Sequence, residues 1–212
     1  MRVACSWSGG KDSCFALIKA MALGAEPQVL LNMMNENGQV SRSHGLAKAV
    51  LQQQAAAMNL PMVNIPATWA EYEANFVAAL TRIKTDYALE AAVFGDIDIA
   101  SHRAWEEKVS QAAGLKAMLP LWQGDRVDLV FQMLDAGIEA VITSCYLTLG
   151  ADFLGRTITR ELVAELQDMG VDACGENGEY HTVVTNCPLF AQPIALPSHQ
   201  KATHGQYCFL TW

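Results

Sequence analysis

The sequence predicts an α/β fold, a doubly wound parallel sheet with a smaller α/β lobe at its C-terminal end. In the first half, short apolar runs typical of buried strands alternate with longer segments in which apolar residues recur at helical spacing. Such alternation favours parallel strands covered by helices on both faces. A change in composition near residues 115–120 predicts a boundary, which we place between a domain at 1–117 and a lobe at 118–212.

Each element has its own signal in the sequence. Arg2 to Trp7 is a short apolar strand, and apolar residues at 14, 17, 18 and 21 define a helix that ends near Gly24. Thr68 and Glu71 have the spacing of a capping box at the start of another helix. The further expected strands are 28–35, 62–66, 91–95 and 140–146, and an apolar segment lies at 118–122. The further expected helices are 43–58, 125–136, 159–169 and one that contains Trp105, Val109 and Ala113 and ends at Gly114.

Composition narrows the class of protein. The chain is 51% hydrophobic and 17% charged, which suits a globular protein with a filled core. A net charge of −8 argues against nonspecific binding of nucleic acid, which requires a basic surface. No apolar run approaches the roughly 20 residues that span a bilayer and no secretory signal is visible, so we expect a cytoplasmic protein without membrane contact. Six cysteines without a C-x-x-C pair predict neither a zinc site nor disulfides.

The stretch "SGGKDS" at 8–13 joins the first strand to the first helix. At such a junction backbone N–H groups point outward at the positive end of the helix dipole, an arrangement that binds anions such as phosphate. Gly9 and Gly10 allow close approach of the backbone, Lys11 supplies a mobile positive charge, and Ser8 and Ser13 supply hydroxyl groups. The stretch therefore predicts a phosphate-binding loop.

This loop differs from the common nucleotide-binding motifs. A Walker A loop would have glycine at Cys5 and a hydroxyl residue at Asp12, and the G-x-G-x-x-G turn is absent. We expect Asp12 to cap the helix and to orient Lys11. Because ligands of parallel sheets bind at the carboxyl ends of the strands, we also expect contacts from Asn35, Gly95 and Asp96. The candidate ligands for Mg²⁺, which uses phosphates and one or two carboxylates, are Asp96 and either Glu176 or Glu179.

A second unusual stretch is "CGENGEYHT" at 174–182. Together with "SGGKDS", it makes the chain resemble the diphthine–ammonia ligase family, which belongs to the adenylating ATP pyrophosphatases of the PP-loop superfamily. The resemblance runs from about residue 3 to 190 and includes "GDI" after the fourth strand, "LPLW" at 119–122, "LG" at 154–155 and "PLF" at 188–190. The chain looks like the short, single-unit branch, and it departs from the family pattern at Asn177, usually glycine, and His181, usually glutamate.

The resemblance implies a Rossmann-like fold of the adenine nucleotide alpha hydrolase type and a ligase reaction. ATP would adenylate a carboxylate, the loop 8–13 with Lys11 would hold the departing pyrophosphate, and ammonia would then form the amide. Glu176, Glu179 and His181 would orient the acceptor or take a proton from ammonium. In the alternative interpretation, the two glutamates stabilise the loop through salt bridges to Arg156 or Arg160.

The expected ligands are ATP, Mg²⁺, ammonium and a carboxylate acceptor. The acceptor is either diphthine, a modified histidine on elongation factor 2, or another acid, and a homo-oligomer is compatible with the sequence. We expect Trp105 and Trp122 in the core. Two rival functions remain open, tRNA thiolation and noncatalytic binding of an adenine nucleotide. The expected substrate-binding residues are His44, Arg103, Cys174, Gly175, Asn177, Gly178, Tyr180 and Thr182.

Overall fold

The computed structural model describes all residues from 1 to 212. The strands are β1 (Arg2–Ser6), β2 (Glu26–Met34), β3 (Met62–Pro66), β4 (Ala91–Val93), β5 (Lys116–Met118), β6 (Glu139–Tyr146), β7 (Tyr180–Asn186), β8 (Gln200–His204) and β9 (Tyr207–Thr211). The helices are α1 (Lys11–Ala22), α2 (Lys48–Ala57), α3 (Tyr72–Tyr87), α4 (Ala100–Ala112), α5 (Arg126–Asp135) and α6 (Arg160–Asp168). None of these helices has the length and apolar content needed to cross a membrane.

Strands β1 to β5 form one parallel sheet in the order β3-β2-β1-β4-β5. Successive residues of β1 point to opposite faces, so Val3 and Cys5 join one apolar cluster while Ala4 joins the other. The first cluster includes side chains of α1 and α2, and the second includes side chains of α3 and α4. Helices therefore cover both faces, and the predicted doubly wound α/β fold is confirmed.

Strands β6 to β9 form a second, antiparallel sheet in the order β7-β6-β9-β8. The two sheets share an apolar core, because one cluster of 42 buried residues contains Val3 of the first sheet together with Ile142, Val183 and Leu210 of the second. The first sheet ends at Met118 and the second begins at Glu139.

Several element boundaries differ from the sequence-based expectation. The helix expected at 43–58 begins only at Lys48, because a turn precedes it in which Ser41 Oγ accepts from the N–H of Leu46 at 3.0 Å and Gly45 has φ of +66°. The apolar segment at 118–122 begins with the last residue of β5 and continues into a turn. The reciprocal bonds of the capping box do form, since Glu71 N donates to Thr68 Oγ1 at 3.2 Å, but they lie just before α3.

Candidate active site

The loop between β1 and α1 is anchored from two sides. Gly9 has φ of +88°, and a Cβ there would lie 2.6 Å from Leu46 Cδ1, so only glycine fits. Its carbonyl accepts from Gln54 Nε2 of α2 and from the N–H of Val184 of β7, both at 2.9 Å. The second sheet therefore helps to set the shape of the loop.

The start of α1 presents donors at the carboxyl edge of the first sheet. No side chain caps this helix, and the N–H groups of Asp12 and Ser13 donate to no acceptor in the protein. Ser8 Oγ accepts from Gly10 N at 3.2 Å and lies 3.0 Å from Ser13 Oγ. Gly95 packs against this point so closely that a Cβ on it would lie 2.8 Å from the carbonyl carbon of Asp12. Free N–H groups, two hydroxyls and a helix dipole are suited to an anion.

Lys11 differs from the mobile lysine that the sequence predicted. Its side chain is buried, with Nζ 2.9 Å from both carboxylate oxygens of Asp12 and hydrogen-bonded to the carbonyl of Cys174. Burial acts to lower the pKa of Lys11, but the negative charge of Asp12 outweighs it and raises the pKa. Asp12 thus orients Lys11 as expected, whereas the expected cap on α1 is wrong because the helix has no side-chain cap.

A cavity of about 480 Å³ opens beside the loop, within the usual range for small-molecule sites. Seven of the residues predicted from the sequence line it: Ser8, Asp12, Ser13, His44, Gly95, Asp96 and Glu176. Sequence reasoning missed the residues that form much of the remaining wall, namely Asn32, Trp69, Tyr72, His102 and Glu106, and it placed Trp105 in the core, although Trp105 lines the cavity as well.

Carboxyl groups dominate the charge of this cavity. Asp12, Asp96, Glu106 and Glu176 line it, and no lysine or arginine does. Burial, together with the adjacent Asp96, raises the pKa of Glu106 to about 11, so Glu106 is protonated at neutral pH. Burial also acts to raise the pKa of Asp96, but hydrogen bonds from His102, at 2.7 Å, and from protonated Glu106 lower it overall.

Glu176 reaches the cavity from the loop before β7. Its carboxylate accepts from the N–H of Ile97 at 3.1 Å. Burial raises the pKa of Glu176 to about 7, the Ile97 bond opposes this rise, and the negative charges of Asp12 and Asp96 add to it. Asp172 holds the loop in place, since its carboxylate accepts from Glu176 N at 2.7 Å and pairs with Arg126 at 2.8 Å. Glu176 is therefore poised to exchange a proton near neutral pH.

Glu179 has a different environment and does not line the cavity. Its carboxylate accepts from Asn177, at 3.1 Å from the backbone N–H and 3.0 Å from Nδ2. The alternative salt bridges are absent, because Arg156 pairs with Glu165 and Arg160 pairs with Asp135. Glu179 thus holds its own turn through Asn177 and not through an arginine.

His181 and His44 form a pair beside the loop. Their ring centroids are 4.7 Å apart, and His44 Nδ1 lies 2.9 Å from the carbonyl oxygen of Thr182. Burial lowers the pKa of His181 to about 3 and also lowers that of His44, so both rings are neutral. A Cβ on Gly10 would lie 2.5 Å from His44 Cε1, which shows how tightly the pair packs on the loop. Thr182 Oγ1 accepts from Lys11 N at 3.1 Å.

The other predicted residues lie outside the cavity. Asn35 accepts from the N–H groups of Gln39 and Val40 and thereby closes a turn after β2. Arg103 pairs with Glu107 at 2.7 Å, and its guanidinium lies 5.0 Å from the ring centroid of Trp122. The remaining ones shape the loop before β7 and the backing of Lys11: Cys174, Gly175, Asn177, Gly178 and Tyr180.

Comparisons with known proteins match both halves of the chain. Residues 1–117 match the family model described as the diphthamide synthase N-terminal domain, and residues 125–211 match the diphthamide synthase C-terminal domain. The chain is 29% identical over 231 residues to the diphthine–ammonia ligase of Schizosaccharomyces pombe, which covers 96% of this chain and 38% of that protein. It is 28% identical to the diphthine–ammonia ligases of Bos taurus and Homo sapiens, over 99% of this chain and 88% of theirs.

One solved structure aligns with most of this chain. It is described as a predicted subunit of tRNA methyltransferase from Methanocaldococcus jannaschii, and it aligns with a TM-score of 0.47 and 15% identity over 89% of this chain and 98% of that one. A likeness of this strength says nothing about activity.

Proposed function

The chain belongs to the diphthamide synthase family, and on that premise we propose that it is an ATP-dependent ligase that converts a carboxylate into an amide. The relatives that carry the name diphthine–ammonia ligase support a reaction of this type, with ATP, ammonia and a diphthine-bearing acceptor as substrates. The alignment with the mammalian relatives extends over 88% of their length, so little of those proteins lies outside it.

The observation that carries the proposal is that the first N–H groups of α1 have no hydrogen-bond acceptor in the protein. The free N–H groups of Asp12 and Ser13, with the hydroxyls of Ser8 and Ser13, face a cavity large enough for a nucleotide. We propose that they bind the β- and γ-phosphates of ATP. The close packing at Gly9 and Gly10 sets the shape of the loop, and Gly95 allows the end of β4 to pack against it. Lys11, buried and paired with Asp12, supplies a positive charge at the start of α1.

The proposed reaction has two balanced steps. The acceptor carboxylate attacks the α-phosphorus of ATP, the bond to the bridging oxygen breaks, and an acyl-adenylate and pyrophosphate form. Ammonia then attacks the acyl carbon, AMP leaves, and the nitrogen loses a proton as the amide forms. Glu176 is suited to take protons from ammonium, because its pKa of about 7 lets it act as a base near neutral pH.

Mg²⁺ fits this cavity as an ion held mainly by phosphates. No group of three or more His, Cys, Asp or Glu side chains forms a metal site by itself. His102 is hydrogen-bonded to one oxygen of Asp96, and Lys11 is hydrogen-bonded to both oxygens of Asp12. The protein therefore offers few free carboxylate oxygens to a metal ion. Magnesium bound to ATP needs only one or two carboxylates, and Asp96 remains the candidate. The ion would neutralise phosphate charge during adenylation.

Product analysis tests the proposal. The protein is incubated with ATP, Mg²⁺, ammonium and elongation factor 2 carrying diphthine, and we expect AMP, pyrophosphate and the amide in equal amounts. Formation of ADP would contradict it and would indicate that a different bond of ATP is cleaved. Tight ATP binding without turnover would also contradict it and would favour a noncatalytic nucleotide-binding protein. For tRNA thiolation the structure offers little support, since all six cysteines are buried.

The variant Lys11→Ala tests the proposed role of the loop between β1 and α1 in AMP formation. We expect AMP formation to fall by at least about a hundredfold, because the cation behind the phosphates is lost and the Asp12 carboxylate is left without its partner. Lys19→Ala is the matched control, since Lys19 lies on the same helix but is bonded to Gln132 away from the cavity. A Lys11→Ala protein with wild-type AMP formation would rule out this role.

A further inference from the structure

Two loops that meet at the cavity are tied together by one arginine. The β4 loop, residues 94–99, follows β4 and contains Asp98, and the β7 loop, residues 169–179, precedes β7 and contains Asp172. Arg126, at the start of α5, donates to both oxygens of Asp98, from Nε at 2.8 Å and from Nη2 at 2.6 Å. Its third nitrogen, Nη1, donates to Asp172 at 2.8 Å. Arg126 therefore joins a loop of the first sheet to a loop of the second.

The chain of bonds continues from Asp172 to the carboxyl group that lines the cavity. The oxygen of Asp172 that accepts from Arg126, Oδ2, also accepts from the N–H of Glu176 at 2.7 Å. The side chain of Glu176 returns to the β4 loop, where it accepts from the N–H of Ile97 at 3.1 Å. Because Ile97 and Asp98 are consecutive residues, the bonds form a closed ring through both loops and Arg126.

This ring is unlike the other ion pairs of the protein. Arg126 is the only basic side chain that pairs with two carboxyl groups. An isolated exposed ion pair contributes little to stability, whereas a bidentate arginine within a network holds its partners more firmly. The side chain of Asp172 is only 10% exposed and that of Arg126 is 25% exposed, so solvent screens this pair less than it screens a pair on the open surface.

The two loops have a single direct hydrogen bond between them, the one from Ile97 N to Glu176. Without Arg126, the side chain suited to proton exchange would also be the sole polar link between the loops. Arg126 supplies a second link that takes no part in proton transfer, because an arginine in a protein keeps its charge. It does so from outside the cavity, which Arg126 does not line.

We propose that Arg126 is a positioning residue: by tying the β4 loop to the β7 loop, it holds the carboxylate of Glu176 where ammonium gives up its proton. This inference rests on the proposed function, because Glu176 acts in the second step of that reaction. Proton transfer requires the base to lie within hydrogen-bond reach of the proton, so a small displacement of the β7 loop is enough to slow it.

The first step of the reaction should depend much less on Arg126. Lys11 has both of its bonds to Asp12, which do not involve the ring. The carbonyl of Cys174 also accepts from Lys11, and Cys174 is bonded through Sγ to the main-chain carbonyl of Arg126, at 3.0 Å. A substitution of the arginine side chain leaves that carbonyl in place. We therefore expect the formation of the amide to change without a matching change in adenylation.

The variant Arg126→Ala is tested with two nucleophiles. Ammonium must lose a proton before its nitrogen can attack, and we expect amide formation from it to fall by about tenfold. Hydroxylamine is largely unprotonated at neutral pH, so its nitrogen attacks the acyl carbon without prior loss of a proton to Glu176, AMP leaves and a hydroxamate forms. Hydroxamate formation and pyrophosphate release should stay within about threefold of the wild type. An equal loss with both nucleophiles would indicate a merely structural role and would overturn the inference.

The variant Asp98→Asn opens the same ring at a side chain that does not contact Glu176. We expect amide formation from ammonium to fall by about fivefold, and the double variant with Arg126→Ala to be no slower than Arg126→Ala alone, because both changes break one ring. Arg156→Ala is the matched control, since Arg156 makes a bidentate pair with Glu165, and it should change neither rate. Losses that multiply in the double variant would contradict the ring.

Amide hydrogen exchange measures the link between the loops without any substrate. In Arg126→Ala and in Asp98→Asn, the segments 94–99 and 169–179 should both exchange about tenfold faster than in the wild type, while β1 and β6 stay as they are. Unchanged exchange of the two loops would overturn this inference, whether or not the protein forms amides. Faster exchange of the loops, together with a wild type that releases no pyrophosphate, would refute the proposed function alone.

Discussion

Glu176 and Glu179 are the same residue type in the same short loop, yet their surroundings have little in common. Glu176 crosses to the first lobe, accepts from the N–H of Ile97 and lines the cavity with a pKa of about 7. Glu179 turns back on its own loop and is bonded to Asn177. The comparison teaches that this motif contains one residue suited to chemistry and one suited to holding the turn, although the sequence presents them as a pair.

The largest expected difference between the two glutamates is in activity. Glu176→Gln should lower the rate of amide formation by about 10²–10³-fold, because it removes the base, while pyrophosphate release in the absence of ammonium changes much less. Glu179→Gln should stay within about threefold of the wild type on both measures. Equal losses in the two variants would show that the distinction between them is wrong.

Asp172 tests whether the position of Glu176 matters as much as its charge. Asp172→Ala removes the acceptor of Glu176 N and the partner of Arg126, so we expect turnover to fall by about tenfold and stability to drop by roughly 1.5–3 kcal/mol. Thermal unfolding and the ammonium dependence of the rate measure the two effects. Asp168→Ala, at the end of α6, is the control and should change neither.

The pH dependence sharpens the comparison further. Below its folded pKa of about 7, Glu176 is protonated and cannot accept a proton, so the rate of amide formation should rise as the pH passes upward through about 7. Glu179→Gln should keep this rise, and Glu176→Gln should lose it. A rise that persists in Glu176→Gln would assign the titration to another group.

His181, two residues after Glu179, should affect stability in acid. In the unfolded chain the pKa of this imidazole is near 6.5, whereas burial lowers it to about 3 in the folded protein. Below pH 6.5 the unfolded chain therefore gains a proton that the folded protein does not. The stability of the fold is unaffected by this residue above pH 6.5 and decreases progressively as the pH falls below it. His181→Gln should therefore lose less stability than the wild type between pH 6.5 and pH 4 in urea unfolding. The same loss in both proteins would contradict the burial of a neutral ring.

The smallest effect is expected from removing the carboxylate of Glu179. Glu179→Ala breaks two hydrogen bonds in a partly exposed turn and should cost about 0.5–1.5 kcal/mol, which lowers the Tm by a few degrees. Asn177→Gly should behave similarly, since it removes Nδ2, one of the two donors. A loss as large as that of Asp172→Ala would mean that Glu179 supports more than its own turn.

The sequence was sufficient for the parallel sheet and for the glycine turn between β1 and α1, because both depend on local patterns. It could not place the aromatic side chains of the cavity wall, since Trp69, Tyr72 and Trp105 come from segments that only the fold brings together. Glu106 did leave a signal. It shares a helical face with Val109, Ser110 and Ala113, all buried, and a carboxyl group on such a face suggests a site. Helical spacing alone does not reveal whether a side chain such as Trp105 is in the core or at the cavity edge.

The bond from Val184 N to the carbonyl of Gly9 has a consequence for how this enzyme can be divided. A fragment that ended after β5 would keep the glycines but lose Val184 and Thr182, two of the hydrogen-bond partners that shape the loop between β1 and α1. We therefore expect that neither half binds a nucleotide when it is expressed alone. Mixing the two halves should restore binding only if they reassemble. Chimeras between relatives should work best when both halves come from the same parent.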